Sequence, residues 1–261
     1  MSFDPASLDF NRLGPSPGAK IVVAGGCGGI GRSIVKACIE TGLRTTVLDL
    51  AESHRRHPSP NEAGFVAIDA HKEASIVAAF EEIRADGEID ALINLVGYRD
   101  DLINVGDRDT QSWDDIISGN LRSAFLICRH GLPHMANNSA IVNVSSGLAV
   151  RVLPGYAPYS AAKAGVIALT KGIAIENAPR IRANAVAPAA VKTAFLAGGT
   201  GRVDDEDGDW DGQFSGYIKS TPMGRLAVAE DIVGPILFLA GPASCFMTGQ
   251  VLYVNGGGLT P

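Results

Sequence analysis

With 261 residues, 46% of them apolar and only 19% charged, the chain carries enough material for a large buried core, which excludes an intrinsically disordered protein. A formal net charge of −6 with clustered acids offers no basic surface to nucleic acid or anionic lipid, so a small-molecule partner is expected. Cys27, Cys38, Cys128 and Cys245 stand far apart without metal-site or disulfide-framework spacing, which predicts no metal and a reducing, cytoplasmic setting.

Residues 1–18, with Pro5, Gly14, Pro15, Pro17 and Gly18 and no apolar period, read as a flexible N-terminal arm without the pattern of a secretory leader. Residues 19–261 read as one domain. Short apolar runs of strand type occur at 21–24, 45–48, 65–68, 91–95, 141–144, 181–186 and 251–254. Between most of them lie stretches with apolar residues three and four apart, at 30–40, 74–83, 113–130, 159–176 and 229–239, which predict helices. Strand alternating with helix implies a parallel sheet, doubly wound with helices on both faces and with ligands at the carboxyl ends of the strands. No run reaches the ~20 apolar residues of a membrane-spanning helix. The longest interruption, a substrate-loop insertion at about 194–222, gathers the acids Asp204, Asp205, Glu206, Asp207, Asp209 and Asp211.

Between the first strand and the first helix lies Gly25-Gly26-Cys27-Gly28-Gly29-Ile30-Gly31. Glycines there permit a tight turn and close backbone approach, and the helix N-terminus supplies positive dipole, so this loop suits a dinucleotide pyrophosphate. Asp49 ends the second strand about twenty residues on, where a carboxylate accepts from ribose hydroxyls and repels a 2′-phosphate; with Leu50 beside it, this favours NAD over NADP. Arg44, Arg55 and Arg56 are the nearby groups that point the other way.

Tyr159 and Lys163 sit four apart at the start of a strongly helical segment and so share a face. An ammonium beside a phenol is expected to favour the phenolate and bring it toward acid–base use. Ser146 or Ser145, at the end of the strand at 141–144, can hydrogen-bond the same substrate oxygen; Tyr156, seven residues before Lys163, fits the pairing poorly.

The glycine loop differs from GxGxxG by an extra residue after its first glycine, and it resembles the TGxxxGIG loop of the short-chain dehydrogenase/reductase family, with Ala24 in the threonine's place. The likeness extends over about residues 18–258. It implies a single-domain Rossmann fold with a seven-stranded sheet, a homotetramer, and a catalytic tetrad of Asn120, Ser146, Tyr159 and Lys163. The family's serine-to-tyrosine interval selects Ser146. Asn120, in Ser118-Gly119-Asn120-Leu121, matches the asparagine that links the lysine to solvent through a water.

The same likeness assigns cofactor contacts to Gly25, Cys27, Gly28, Gly29, Ile30 and Gly31 in the loop, to Asp49 and Leu50, and to Asp69 with Ala70 at the adenine. It adds Asn94, Val96 and Gly97 in the place of an NNAG stretch, Tyr159 and Lys163 at the ribose, and Pro188, Ala189, Val191 and Thr193 in the place of PGxxxT, with Ala189 replacing its glycine. The expected activity is hydride transfer between NAD(H) and a secondary alcohol or ketone, Tyr159 exchanging the proton. The segment 146–154, the segment after Gly97 including Tyr98, and the insertion from Phe195 to Tyr217, with Phe195, Leu196, Trp210 and Phe214, are expected to line the substrate pocket. Two alternatives stand beside this: an NADPH-dependent 3-oxoacyl thioester reductase, and a dinucleotide-binding regulator without catalysis.

Overall fold

The computed structural model describes residues 12–197 and 209–259. Seven strands, β1 Lys20–Ala24, β2 Arg44–Asp49, β3 Gly64–Ala67, β4 Ile89–Asn94, β5 Met135–Val144, β6 Ile181–Pro188 and β7 Val251–Val254, form one sheet in the order β3-β2-β1-β4-β5-β6-β7. Every neighbouring pair is parallel. The chain order reverses between β1 and β4, so a crevice opens above their carboxyl ends.

Side chains alternate across each strand, and β1 shows the consequence. Val22 and Ala24 point into one core layer with Ile76, Phe80 and Ile83 of α3 (Glu73–Arg84), Leu126 and Ile127 of α5 (Ser123–Gly131) and Ile173 of α6 (Ala157–Asn177). Ile21 and Val23 point into the opposite layer, with Ile34, Val35 and Cys38 of α1 (Gly29–Glu40) and Ile232, Ile236 and Leu239 of α9 (Glu230–Ala240). Burial on both faces explains why these strands read as unbroken apolar runs. The remaining helices are α2 Ala51–Arg56, α4 Thr110–Ile117, α7 Trp210–Gln213 and α8 Ser215–Ser220. No helix among the described residues is long and apolar enough to cross a membrane.

Residues 1–11 of the expected arm and 198–208 of the expected insertion lie outside the described residues. The rest of the arm rests on α9, with Pro15 buried and Gly14 against Leu237. The single helix expected at 113–130 is α4 and α5 joined by a π-helical turn, Ser118–Arg122. That turn admits one extra residue per repeat and so rotates Asn120 inward, where it is fully buried.

Candidate active site

A cavity of about 770 Å³ lies over the carboxyl ends of β1, β2, β4, β5 and β6. One end is built by the glycine loop. Gly25 takes φ +83°, a backbone conformation that a side chain would strain, and a Cβ at Gly31 would overlap the Gly25 carbonyl oxygen. A Cβ at Gly29 would come within 2.5 Å of Thr193 Cγ2. Gly28, the N-cap of α1, has no capping side chain, so the first amides of the helix face the cavity.

Asp49 closes this end. Its Oδ2 accepts from Cys27 N at 2.9 Å and its Oδ1 from Leu50 N at 2.7 Å, which ties β2 to the glycine loop. Burial raises its pKa above the usual carboxylate range, against these bonds and one from Ser53. Burial, reinforced by Asp49, pushes the Cys27 thiol up to about 12, so this cysteine stays protonated. Asp69 Oδ1 accepts from His71 N at 3.1 Å and its Oδ2 meets Lys72 at 3.0 Å, holding the turn after β3 against the cavity beside Ala70.

At the other end, Tyr156 is the N-cap of α6 and Pro158 stands in its first turn, a placement that suits proline's fixed φ and missing donor. Tyr159, Ala162, Lys163, Val166 and Thr170 then fall on its buried side. Tyr159 is 7% exposed, and its ring meets Phe195 at 5.8 Å between centroids. Lys163 Nζ lies 5.7 Å from the centre of the Tyr159 ring and donates to Val144 O at 3.0 Å. Burial lowers the Lys163 ammonium to about 8.

The expected downward pull of Lys163 on Tyr159 is not the dominant effect. Burial raises the phenol above its ordinary value, and the opposing influences are a hydrogen bond with Ser146 and the charge of Arg99. The geometry also separates the two serines. Ser145 Oγ is committed to Lys163 O at 2.8 Å, whereas Ser146 Oγ faces Tyr159 while accepting from Leu148 N at 3.1 Å.

Of the residues expected from sequence, Ser146, Tyr159, Lys163, Gly25, Cys27, Gly28, Gly29, Ile30, Gly31, Asp49, Leu50, Asp69, Ala70, Val96, Gly97, Pro188, Ala189, Val191 and Thr193 all line this one cavity. Asn94 and Asn120 stand behind its wall. Asn94 accepts from Val96 N at 3.2 Å and donates to Asn143 Oδ1 at 3.1 Å, and Asn143 donates onward to Thr170 at 3.0 Å. Asn120 Nδ2 donates to Tyr98 O at 2.8 Å and Ile116 O at 2.9 Å, and its Oδ1 accepts from Tyr98 N at 3.2 Å. Asn120 Oδ1 and Lys163 Nζ meet at Gly97, where a Cβ would lie 2.5 Å and 3.0 Å from them.

The segment after β6 is held without the expected glycine. Ala189 N donates to Val254 O at 3.0 Å, and Lys192 N to Ala227 O at 2.8 Å. In the substrate half, Leu148, Leu153, Phe195, Leu196 and Phe214 line the cavity as expected, but Val150 and Val152 point to solvent and Trp210 packs beneath Phe214 instead. Tyr217 and Arg151, inside the expected pocket segments, also line the cavity, as do Arg99, which sequence reasoning did not single out, and Tyr156, which it set aside. The signal for Arg99 was a cation two residues after Gly97.

A family model described as Enoyl-(Acyl carrier protein) reductase matches residues 25–258. The chain is 34% identical over 252 residues to the 3-oxoacyl-[acyl-carrier-protein] reductase FabG of Chlamydia pneumoniae, covering 92% of this chain and 96% of that protein. The chain belongs to the short-chain dehydrogenase/reductase family. Among solved structures, a short-chain dehydrogenase/reductase from Brucella melitensis superposes with TM-score 0.84 at 26% identity, covering 95% of this chain and 99% of that one. A 3-ketoacyl-(acyl-carrier-protein) reductase of the same organism, complexed with NADH, superposes with TM-score 0.81 at 29% identity, over 94% and 99%. The expected seven-stranded fold of this short-chain dehydrogenase/reductase is therefore present, and it is an oxidoreductase of the nicotinamide-dinucleotide class.

Proposed function

We propose that this short-chain dehydrogenase/reductase interconverts a secondary alcohol and a ketone with NAD(H), Tyr159 carrying the proton. The observation that supports it most is the meeting of Tyr159, Ser146 and Lys163 in one cavity with the glycine loop and Asp49. The cradle fits a dinucleotide: Gly28 and Gly29 line the cavity at the start of α1 with Gly29 packed on Thr193, and Asp49 presents a carboxylate where ribose hydroxyls would donate. A bound nicotinamide supplies the hydride acceptor or donor.

The chain's own residues supply the rest. Ser146 donates to the substrate oxygen and orients it toward Tyr159. The raised phenol keeps its proton through neutral pH, ready to protonate a developing alkoxide in reduction; in oxidation the same oxygen takes the hydroxyl proton as phenolate. Lys163, anchored to Val144 O with its ammonium 5.7 Å from the centre of the phenol ring, would hold the cofactor ribose. Asn120, linked to Lys163 across Gly97, holds the route by which that proton reaches solvent.

NAD is favoured because the cations near Asp49 are already engaged. Glu52 pairs with both Arg55 and Arg56, the latter at 3.3 Å, and Arg44 pairs with Asp86 at 2.6 Å. A homotetramer is proposed on the family likeness alone.

The likeness to FabG favours a second reading, reduction of a 3-oxoacyl thioester on a carrier protein with NADPH. Turnover that requires the carrier and prefers NADPH would select it. For the main reading, Tyr159→Phe removes one hydroxyl with little change in shape. It is expected to lower kcat by about 10²–10⁴-fold while NADH binding stays near that of the unaltered enzyme; near-normal turnover by this variant refutes the assignment.

A further inference from the structure

Among the described residues, the substrate half of the cavity is cationic although the chain as a whole is acidic. Arg99, Arg151 and Lys163 line it, whereas the acids among its lining residues, Asp49 and Asp69, both stand at the adenosine end. The charge of Arg99 bears on the Tyr159 phenol, opposing the effect of burial, and its side chain lines the same cavity. Its guanidinium lies 6.0 Å from the centre of the Tyr156 ring and donates to the carbonyl of Leu196 and, at 3.2 Å, to that of Asp100.

Two features leave Arg99 with spare binding capacity. The adjacent carboxylate, Asp100, turns away to Arg108 at 2.6 Å and Ser112 at 2.9 Å, so Arg99 has no carboxylate partner among the described residues. Its Nε is buried without any hydrogen-bond partner. A buried, unanswered donor on a charged group is costly, and with almost no surface of its own open to the cavity this one is answered by a ligand only when the guanidinium turns toward that cavity. Both Nη atoms donate to backbone carbonyls, so the turned guanidinium would exchange one of these bonds for the side-on pair of parallel bonds that a carboxylate accepts.

We propose that Arg99 is a specificity-determining residue and that the substrate is an oxo acid or hydroxy acid, its carboxylate held by Arg99 while its carbonyl or hydroxyl oxygen meets Tyr159 and Ser146. This deepens the alcohol–ketone reading and rests on it. Arg151, fixed by its bond to Gly258 O at 2.8 Å, adds positive potential at the mouth. Phe195, Leu148 and Leu153 cover the carbon chain between the two polar ends.

The test compares 2-, 3- and 4-oxopentanoate with their methyl esters as substrates for the NADH-loaded enzyme, using the unaltered protein, Arg99→Gln and Arg99→Lys. At least one acid is expected to exceed its ester in kcat/KM by about 100-fold. That ratio is expected to fall to near one in Arg99→Gln and to be partly kept in Arg99→Lys. The ratio cancels any common loss from releasing Leu196. Equal use of acids and esters by the unaltered enzyme overturns the proposal but leaves the oxidoreductase reading standing. If no compound is reduced, calorimetric titration of the same acids into the NADH-loaded protein decides: binding that depends on Arg99 upholds the anion site without the reaction, and absence of binding overturns it.

Discussion

Asp49→Asn tests the dinucleotide end of the site with the smallest change in shape. The carboxylate accepts from Cys27 N at 2.9 Å and Leu50 N at 2.7 Å, one bond on each oxygen. An amide offers one oxygen and one NH2, so one backbone donor loses its acceptor and faces another donor. Losing a charge-assisted bond at a buried site costs about 1.5–3 kcal/mol, part of which appears as weaker NADH binding because the glycine loop is less well held. The effect on NADPH has the opposite sign. A carboxylate and a phosphate charge about 4 Å apart near a surface repel by roughly 4 kcal/mol, and neutralising one partner removes that repulsion. Taking about 2–3 kcal/mol as realised after solvent screening, the ratio of NADH to NADPH affinity is expected to move toward NADPH by about 100-fold. Quenching of protein fluorescence on titration with each nucleotide measures both constants. A ratio that stays within about 3-fold of the starting value, or an unaltered enzyme that prefers NADPH, refutes the role given to Asp49.

Further outcomes follow from the same geometry. Gly31→Ala places a methyl on the Gly25 carbonyl oxygen, a clash with backbone that only opening the loop relieves; a cost of about 1–3 kcal/mol is expected, seen as a lower Tm and weaker NADH binding. Unchanged NADH affinity would show that the loop does not hold the pyrophosphate. The raised Tyr159 phenol sets the pH dependence. Where a deuterium isotope effect shows that hydride transfer limits the rate, alcohol oxidation below pH about 8 is expected to climb ~10-fold per unit with the phenolate fraction, while ketone reduction stays level. An oxidation rate independent of pH in that range removes Tyr159 as the base.

Much of the fold is legible in the sequence because the sheet is buried on both faces. Apolar runs such as Ile21 to Ala24 can only be strands between two layers, and α1, α3, α6 and α9 carry their period openly. Where side chains face water, the pattern fades. The first half of β5 holds Asn137 and Asn138, both exposed, with Asn138 at φ +64° and a register shift opposite β4, so only 141–144 reads as strand. Helix α2 buries none of its six residues, which leaves no apolar stripe to find. The π-helical turn is invisible for another reason: Asn120 is turned inward by backbone geometry, and Gly119 beside it is required because a side chain there would strike the Tyr98 ring.

The site divides along the same line. Glycine positions and the Tyr159–Lys163 interval are fixed by local geometry, so spacing along the chain reveals them. Charge balance is not local. In Tyr98-Arg99-Asp100-Asp101 the neighbouring acids give Arg99 the look of a surface cation neutralised in place. Folding reverses that inference by giving Asp100 to Arg108, nine residues beyond Arg99, and by bringing Leu196 and Tyr156 around the guanidinium from two other parts of the chain. The same redistribution places burial above the Lys163 charge as the main influence on Tyr159. A phenol held neutral, with the Arg99 cation lining the same cavity, is the arrangement on which the proposed protonation of an oxygen on an anionic substrate rests.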